Sequence, residues 1–198
     1  PNNLPKGNKS ILFRKIFIKN NDVNYLSLAR LFLFGARDVW FVVGVPLYLY
    51  STVSNNLATN NGFAFFIVGG FLAIWIILYG IVQANTPKLL GLEGVNGSKI
   101  LDILKVWMQR LTVVPVFLAV CLLVFNQQNL IASITLIIGL LIFGAIFAII
   151  SSLHSYLILA FTDVNRVTLD VGFYYTANAL GRFLGTLLSG LTYQVGGI

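Results

Sequence analysis

The sequence predicts an all-α polytopic membrane protein with about five transmembrane helices. Of its 198 residues, 58% are hydrophobic and 10% are charged, whereas an ordinary soluble domain has about 45–50% apolar and about 25% charged residues. The apolar residues fall in runs of about 20 or more, the length that a helix needs to cross roughly 30 Å of hydrocarbon. A water-soluble fold could not bury that much apolar surface, so the predicted solvent of the chain is lipid.

Five spans follow a polar, basic segment over residues 1–25, which we expect to be a cytoplasmic linker with a short amphipathic turn near its middle. The predicted spans cover about residues 26–50, 63–84, 100–125, 130–161 and 170–195. Polar Ser and Asn residues at 54–56 and 60–62 predict an outer turn. Pro87 is expected to end the second span and Pro115 to kink the third. The Gly-rich segment 91–97 lacks the spacing of a phosphate-binding motif and is predicted to be a turn.

The placement of basic residues predicts the topology. Outside the spans they occur before the first span and in the second and fourth connections: Lys6, Lys9, Arg14, Lys15, Lys19, Lys88, Lys99 and Arg166. The first and third connections, about residues 51–62 and 126–129, contain no Lys or Arg. The positive-inside rule therefore puts the N-terminal linker in the cytoplasm. The expected location is the plasma membrane, which is the inner membrane in bacteria. The net charge of +7 then reflects topology, and no nucleic-acid partner is expected.

Ionisable residues at bilayer depth cost about 2.5–3.5 kcal/mol each on insertion scales, so each is a candidate functional residue. Arg37 and Asp38 follow Leu26 by eleven and twelve residues, roughly 16–18 Å into the first span. Neighbouring residues on a helix do not face each other, so each is expected to need its own partner, water or ligand. Arg30 lies seven residues before Arg37 on the same face, and the two guanidiniums could form a cationic stripe.

A second candidate group lies in the fifth span, where Arg182 is about as deep as the first. Two midplane arginines favour an anion site, because the guanidinium presents a planar fork of donors to phosphate-like oxyanions. The alternatives are that Arg182 pairs with Asp38 or another acid, or reaches to the membrane surface. Asn178 and Tyr175 are candidate substrate-binding donors, although such aromatic residues also serve as interfacial anchors. Asp38 is a candidate for gating or coupling, and so is His154, which could equally be a hydrogen-bonded structural histidine.

Small residues at spacing four in the fifth span predict close helix packing: Ala177, Gly181, Gly185 and Ser189. The sequence offers no paired-histidine metal motif, no cysteine cluster and no nucleophile elbow, and it has one His and one Cys. We therefore expect neither an enzyme nor a metal or other cofactor.

Several segments resemble the ArsJ-type organoarsenical efflux permeases of the major facilitator superfamily. They are LFLFGARDVWFVVG at 31–44, YGIVQA at 79–84, SLHSYL at 152–157, GFYYTANALGR at 172–182 and GTLLSG at 185–190. The resemblance extends over about residues 26–195. It implies that the spans correspond to helices seven to eleven of a twelve-helix fold, and that residues 26–198 form part of its C-terminal six-helix half. Both ends of the chain look cut, so the N-terminal half of the same protein is an expected partner.

The resemblance also implies a function, which is secondary export by alternating access between two six-helix halves. The family is associated with 1-arseno-3-phosphoglycerate, a small polyanion made when glyceraldehyde-3-phosphate dehydrogenase uses arsenate, so its export confers arsenate resistance. Arg37, Arg182, Asn178 and Tyr175 would then bind the substrate. Two alternatives stay open: another exporter of the superfamily, for a sugar phosphate or a drug-like molecule, and a non-transporting membrane scaffold in which the deep charges pair helices.

Overall fold

The computed structural model describes residues 20–57, 61–124, 130–164 and 166–196. These ranges contain six helices and no strand: α1 (Asn21–Phe41), α2 (Gly44–Leu57), α3 (Asn61–Leu89), α4 (Gly97–Val124), α5 (Leu130–Phe161) and α6 (Val167–Gly196). The predicted amphipathic turn and the link at 126–129 lie outside the described residues.

Three of the described helices are long and apolar enough to cross a membrane. Their spans are Gly62–Leu89 in α3, Gly97–Cys121 in α4 and Ile131–Phe161 in α5. Large apolar side chains project outward along them, among them Phe66, Val113 and Leu123, as expected where the surroundings are hydrocarbon rather than water. The chain is therefore a helical membrane protein. Helix α2, with 14 residues, is too short to cross a membrane by itself, and the charged and polar residues of α1 and α6 make these two helices less apolar. The crossing of the membrane by α1, α2 and α6 therefore stays a prediction.

The first predicted span is broken into α1 and α2 at Val42 and Val43, and the prediction of one continuous helix over 26–50 is wrong. Pro46 explains the break: proline has no N–H to donate to the carbonyl of the residue four positions earlier, Val42, and its ring clashes with that carbonyl. At the break the Val43 N–H donates to the Ser189 hydroxyl of α6 at 3.3 Å. The broken backbone is thus held by a side chain from another helix.

Both ends of the first span also extend beyond their prediction. Asn20 caps α1, because its side-chain oxygen accepts from the N–H groups of Asp22 and Val23, and the helix begins five residues before Leu26. The turn predicted at 54–56 is wrong, since α2 continues to Leu57. Packing of α2 against α3 overrides the weak helix propensity of Ser and Asn there.

The second span does not end at Pro87, which lies inside α3. Proline here removes one hydrogen bond from the last turns, while the Thr86 hydroxyl donates to the Val82 carbonyl at 2.8 Å. The helix ends instead at Leu89, and Gly91 follows it with a φ of 57°, the left-handed conformation that favours glycine in a helix C-terminal cap. Beyond it, Leu92 is buried in the core. The predicted turn over 91–97 is confirmed up to Asn96, after which α4 begins.

Helix α5 lies at the centre and contacts α3, α4, α1 and α6. Two of its glycines admit side chains from the neighbours: Leu118 of α4 fills the space at Gly139, and the Trp75 ring of α3 lies against Gly144. Trp75 also donates its indole N–H to the Leu140 carbonyl at 2.8 Å. The predicted fourth span over 130–161 coincides with α5.

Helices α1 and α6 pack in parallel and approach each other most closely at glycines. A Cβ on Gly181 would overlap the Leu31 carbonyl, and one on Gly185 would overlap the Gly35 carbonyl. Further along, Ser189 meets the break after α1. The prediction that small residues of the fifth span serve close packing is confirmed at these three positions. The close approach brings polar side chains of the two helices together.

Candidate functional site: an arginine cluster between α1, α5 and α6

Asp38 is the centre of the charged group predicted at span depth. Its side chain is 1% exposed, and its two oxygens face two different arginines. Arg37 Nε lies 2.6 Å from Oδ1, and Arg182 Nε lies 3.3 Å from Oδ2. The Asp38 Cβ lies beside Gly185, so the glycine contact between α1 and α6 gives Arg182 access to the carboxylate.

Arg37 pairs directly with Asp38, so the prediction that each of these residues has a separate partner is wrong. Adjacent residues on a helix point in different directions, which keeps short side chains apart. The arginine side chain is long enough to bend back to the carboxylate of its neighbour. The Arg37 guanidinium also lies over two aromatic rings, 4.6 Å from the centroid of Phe34 and 4.9 Å from that of Phe147. These cation–π contacts stabilise a charge that is largely withdrawn from the surroundings.

Arg182 differs from Arg37 in exposure. Its side chain is 57% exposed, against 11% for Arg37, so one edge of its guanidinium faces away from the described helices. The pairing of Arg182 with Asp38, left open by the sequence, is present in the structure. The exposed edge of Arg182 leaves donor groups available to another ligand.

Arg30 is a buried residue of the cluster that the sequence did not single out as a site residue. It is 5% exposed, and its Nε donates to Asn178 Oδ1 at 3.2 Å while Nη1 donates to the Ser151 hydroxyl, also at 3.2 Å. Its guanidinium lies 4.0 Å from the Phe34 ring centroid, so Arg30 and Arg37 flank one phenylalanine. The seven-residue spacing predicts that Arg30 and Arg37 lie on the same face of the helix, but it does not predict that Arg30 is buried.

Asn178, predicted to bind substrate, therefore holds Arg30. Tyr175 points outward, 53% exposed, and contacts the Tyr174 ring edge-on at 5.4 Å between centroids. His154 is 1% exposed, one turn after the Ser151 that accepts from Arg30. The structure thus places His154 and Asn178 at the Arg30 end of the cluster, and Asp38 at the other end.

Three buried polar atoms near Arg30 have no hydrogen-bond partner in the described part of the chain: Ser27 Oγ, His154 Nδ1 and the Tyr174 hydroxyl. Ser27 lies one turn before Arg30 on α1, and the Tyr174 ring centroid is 5.2 Å from the guanidinium carbon. Buried polar atoms are nearly always hydrogen-bonded in native proteins. An unsatisfied group of this kind marks a place where a further ligand can bind.

A separate cavity of about 360 Å³ adjoins the break between α1 and α2. Most of its lining is apolar, with Trp40, Tyr48 and Pro115 on its walls and Ser189 near the break. It lies beyond Asp38 in the direction of α2, and its surface suits an uncharged group rather than an anion.

The arrangement is suited to binding anions. In the part of the chain that the structure describes, the cluster contains three arginines, of which Arg37 and Arg182 share the carboxylate of Asp38 and Arg30 has no acidic partner, so positive charge is in excess. Among the described residues, no group of three or more His, Cys, Asp or Glu side chains is placed to hold a metal ion. Fold and site together define a helical membrane protein with a buried cationic cluster. Comparison with protein-family models, curated proteins and solved structures found no match to this chain.

Proposed function

We propose that this chain is part of a secondary transporter of the major facilitator superfamily that exports an organic anion across the plasma membrane by alternating access. The observation that carries the proposal is the excess of arginine over carboxylate between α1, α5 and α6. A charge at this depth is retained when it has a function. An anionic substrate would balance the surplus while bound.

The proposed substrate is 1-arseno-3-phosphoglycerate, on the strength of the segment resemblance to ArsJ-type permeases. Glyceraldehyde-3-phosphate dehydrogenase would supply it in cells exposed to arsenate. Its oxyanion groups match the planar donor fork of arginine, which pairs with two oxygens at once. Arg37 and Arg182 are the proposed substrate ligands, with Asn178 and Tyr175 as further candidates.

Asp38 is the proposed gating residue, because it joins α1 to α6 through Arg182. A substrate oxyanion that competes for Arg182 would weaken this link and free the two helices to move relative to each other. The competition gives substrate binding a route to a conformational change, as alternating access requires. His154 is the second proposed coupling residue.

A non-transporting membrane scaffold is the second candidate function, and the pairing of Asp38 with two arginines favours it. In that reading the charges hold helices together and no substrate binds. Exchanging the charges, with Asp38→Arg and Arg182→Asp in one protein, would then restore the link between α1 and α6 and part of the stability that either substitution alone removes, and it would alter no transport. In the transporter reading the exchange abolishes export, because the anion-binding group has moved.

The test is arsenate tolerance and cellular arsenic content in arsenate-sensitive cells that express the full-length protein with glyceraldehyde-3-phosphate dehydrogenase. We expect protection that requires the dehydrogenase and is abolished by Arg37→Ala or Arg182→Ala, with Arg→Lys partly active. Lys105→Ala is the matched control, because this cation is exposed. Absence of protection at normal membrane expression would overturn the substrate assignment.

A further inference from the structure

The buried guanidinium of Arg30 differs from those of its neighbours, because it has no acidic partner among the residues that the structure describes. Arg37 and Arg182 share Asp38, and Arg166 lies 3.7 Å from Asp170. Within the described ranges, no carboxylate lies within 4.0 Å of Arg30. Its contacts are an amide oxygen, the hydroxyl and the backbone carbonyl of Ser151, and two aromatic faces, all of them neutral.

Burying a charge without a counter-charge is unfavourable even when hydrogen bonds compensate in part. The neutral contacts orient Arg30 without neutralising it: Asn178 accepts from Nε and Ser151 from Nη1. The fold therefore holds a positively charged group in place, enclosed by α1, α5 and α6. An anion is the ligand that this group can accept.

The unsatisfied atoms at Ser27, His154 and Tyr174 are an independent observation that indicates a ligand at the same place. Leaving a buried polar atom without a hydrogen bond is unfavourable, because the atom has lost its contacts with water. Two of them are hydroxyl groups that can donate, and an imidazole nitrogen can donate as well. Together with the guanidinium they provide several buried donors on the three helices that enclose Arg30, and several donors are what the terminal oxygens of a tetrahedral oxyanion require.

We propose that Arg30, with Ser27, His154 and Tyr174, binds one phosphate-type monoester group of the transported substrate. The proposal rests on the proposed function and names a different residue for the first anion contact: Arg30 has no carboxylate within 4.0 Å among the described residues, whereas Arg37 is paired with Asp38 at 2.6 Å. The burial of Arg30 between α1, α5 and α6 favours a soluble anion over a lipid headgroup.

The test measures glycerol 3-phosphate binding by the purified full-length protein in nanodiscs of zwitterionic lipid, with glycerol as the uncharged control. Arg30→Gln removes the charge and is expected to weaken binding at least tenfold. Asn178→Asp places a carboxylate on the atom that already accepts from Arg30 Nε, and it is expected to weaken binding equally without disturbing the fold. Lys105→Gln, on an exposed cation, should bind like the wild type.

Thermal unfolding of the same samples separates binding from folding. Asn178→Asp should unfold at the wild-type temperature or above it, because it supplies the missing counter-charge. Wild-type binding that Asn178→Asp and Arg30→Gln leave unchanged would overturn the Arg30 site and leave the proposed function intact. Arsenate-dependent export without binding of glycerol 3-phosphate would also overturn the Arg30 site but not the proposed function. Binding that depends on Arg30, without any export, would overturn the proposed exporter function but not the Arg30 site.

Discussion

Arg182 Nε lies 3.3 Å from Asp38 Oδ2 and joins α6 to α1 across 144 residues of sequence. The same carboxylate accepts from Arg37 at 2.6 Å, so one buried acid serves two cations. The contact depends on the glycines that bring the two helices together. Asp38 therefore links the stability of the α1–α6 contact to the arginines that we propose to bind an anion.

Asp38→Asn is expected to destabilise the protein by about 3–5 kcal/mol, because it leaves the enclosed charge of Arg37 without a counter-ion. Thermal or denaturant unfolding in detergent measures the effect. The control is Asp102→Asn, which breaks an ion pair whose two side chains are more than 70% exposed and is expected to change stability by no more than about 1 kcal/mol. Equal effects of the two substitutions would contradict a special role for Asp38.

Gly181→Ala is expected to destabilise the packing of α1 against α6 by about 1–3 kcal/mol, since its methyl group would overlap the Leu31 carbonyl and backbone cannot move aside easily. The matched control on the same helix is Gly190→Ala, where nothing lies within 4 Å of the added Cβ. That substitution should be neutral or stabilising, because alanine favours a helix over glycine. Unfolding temperatures of the two variants decide the question, and an unaffected Gly181→Ala would argue against the close contact.

Pro46→Ala is expected to restore a continuous helix through Val42 and Val43, since residue 46 regains an N–H for the Val42 carbonyl. Amide hydrogen exchange at 42–47 should slow, and export should slow with it if the break allows α2 to move relative to α1. Pro115→Ala, in α4, is the comparison. Unchanged exchange at 42–47 would show that Ser189, rather than Pro46, maintains the break.

Cysteine labelling tests the topology that the basic residues predict. In a Cys121→Ser background, Asn55→Cys should react with a membrane-impermeant maleimide in intact cells, and Glu93→Cys should react only after permeabilisation. Both side chains are exposed, so access is limited by the membrane and not by the fold. The reverse pattern would invert the orientation, with the N-terminal linker outside the cytoplasm.

The sequence was most informative where a local property decides the structure. The span over 130–161 coincides with α5, because a long uninterrupted apolar run has no other favourable state in lipid. It was least informative at prolines: Pro46 breaks a helix, whereas Pro87 lies inside one. The two prolines differ because different groups form hydrogen bonds with the backbone near them. Near Pro46 this group is the Ser189 hydroxyl of α6, and a contact between residues so far apart in sequence cannot be predicted from the sequence.

In the candidate site, too, some features could be predicted from the sequence and others could not. The spacing predicted that Arg30 and Arg37 share a face and that deep arginines favour an anion. It did not predict that Arg37 folds back onto Asp38, or that Asn178 turns towards Arg30 rather than towards a substrate. Side-chain partners depend on the approach of helices that are far apart in sequence.

By itself, therefore, the sequence determined the class of protein, the positions of three apolar spans and the presence of deep cationic residues, because hydropathy and span length act locally. The tertiary structure alone decided which charges are neutralised. Asp38 and Arg182 meet only because α1 and α6 pack at their glycines, and Arg30 has no acidic partner in the described chain because α5 and α6 offer it neutral groups. Charge in a membrane is costly unless it is paired, so this tertiary choice of partners determines where an anion can bind.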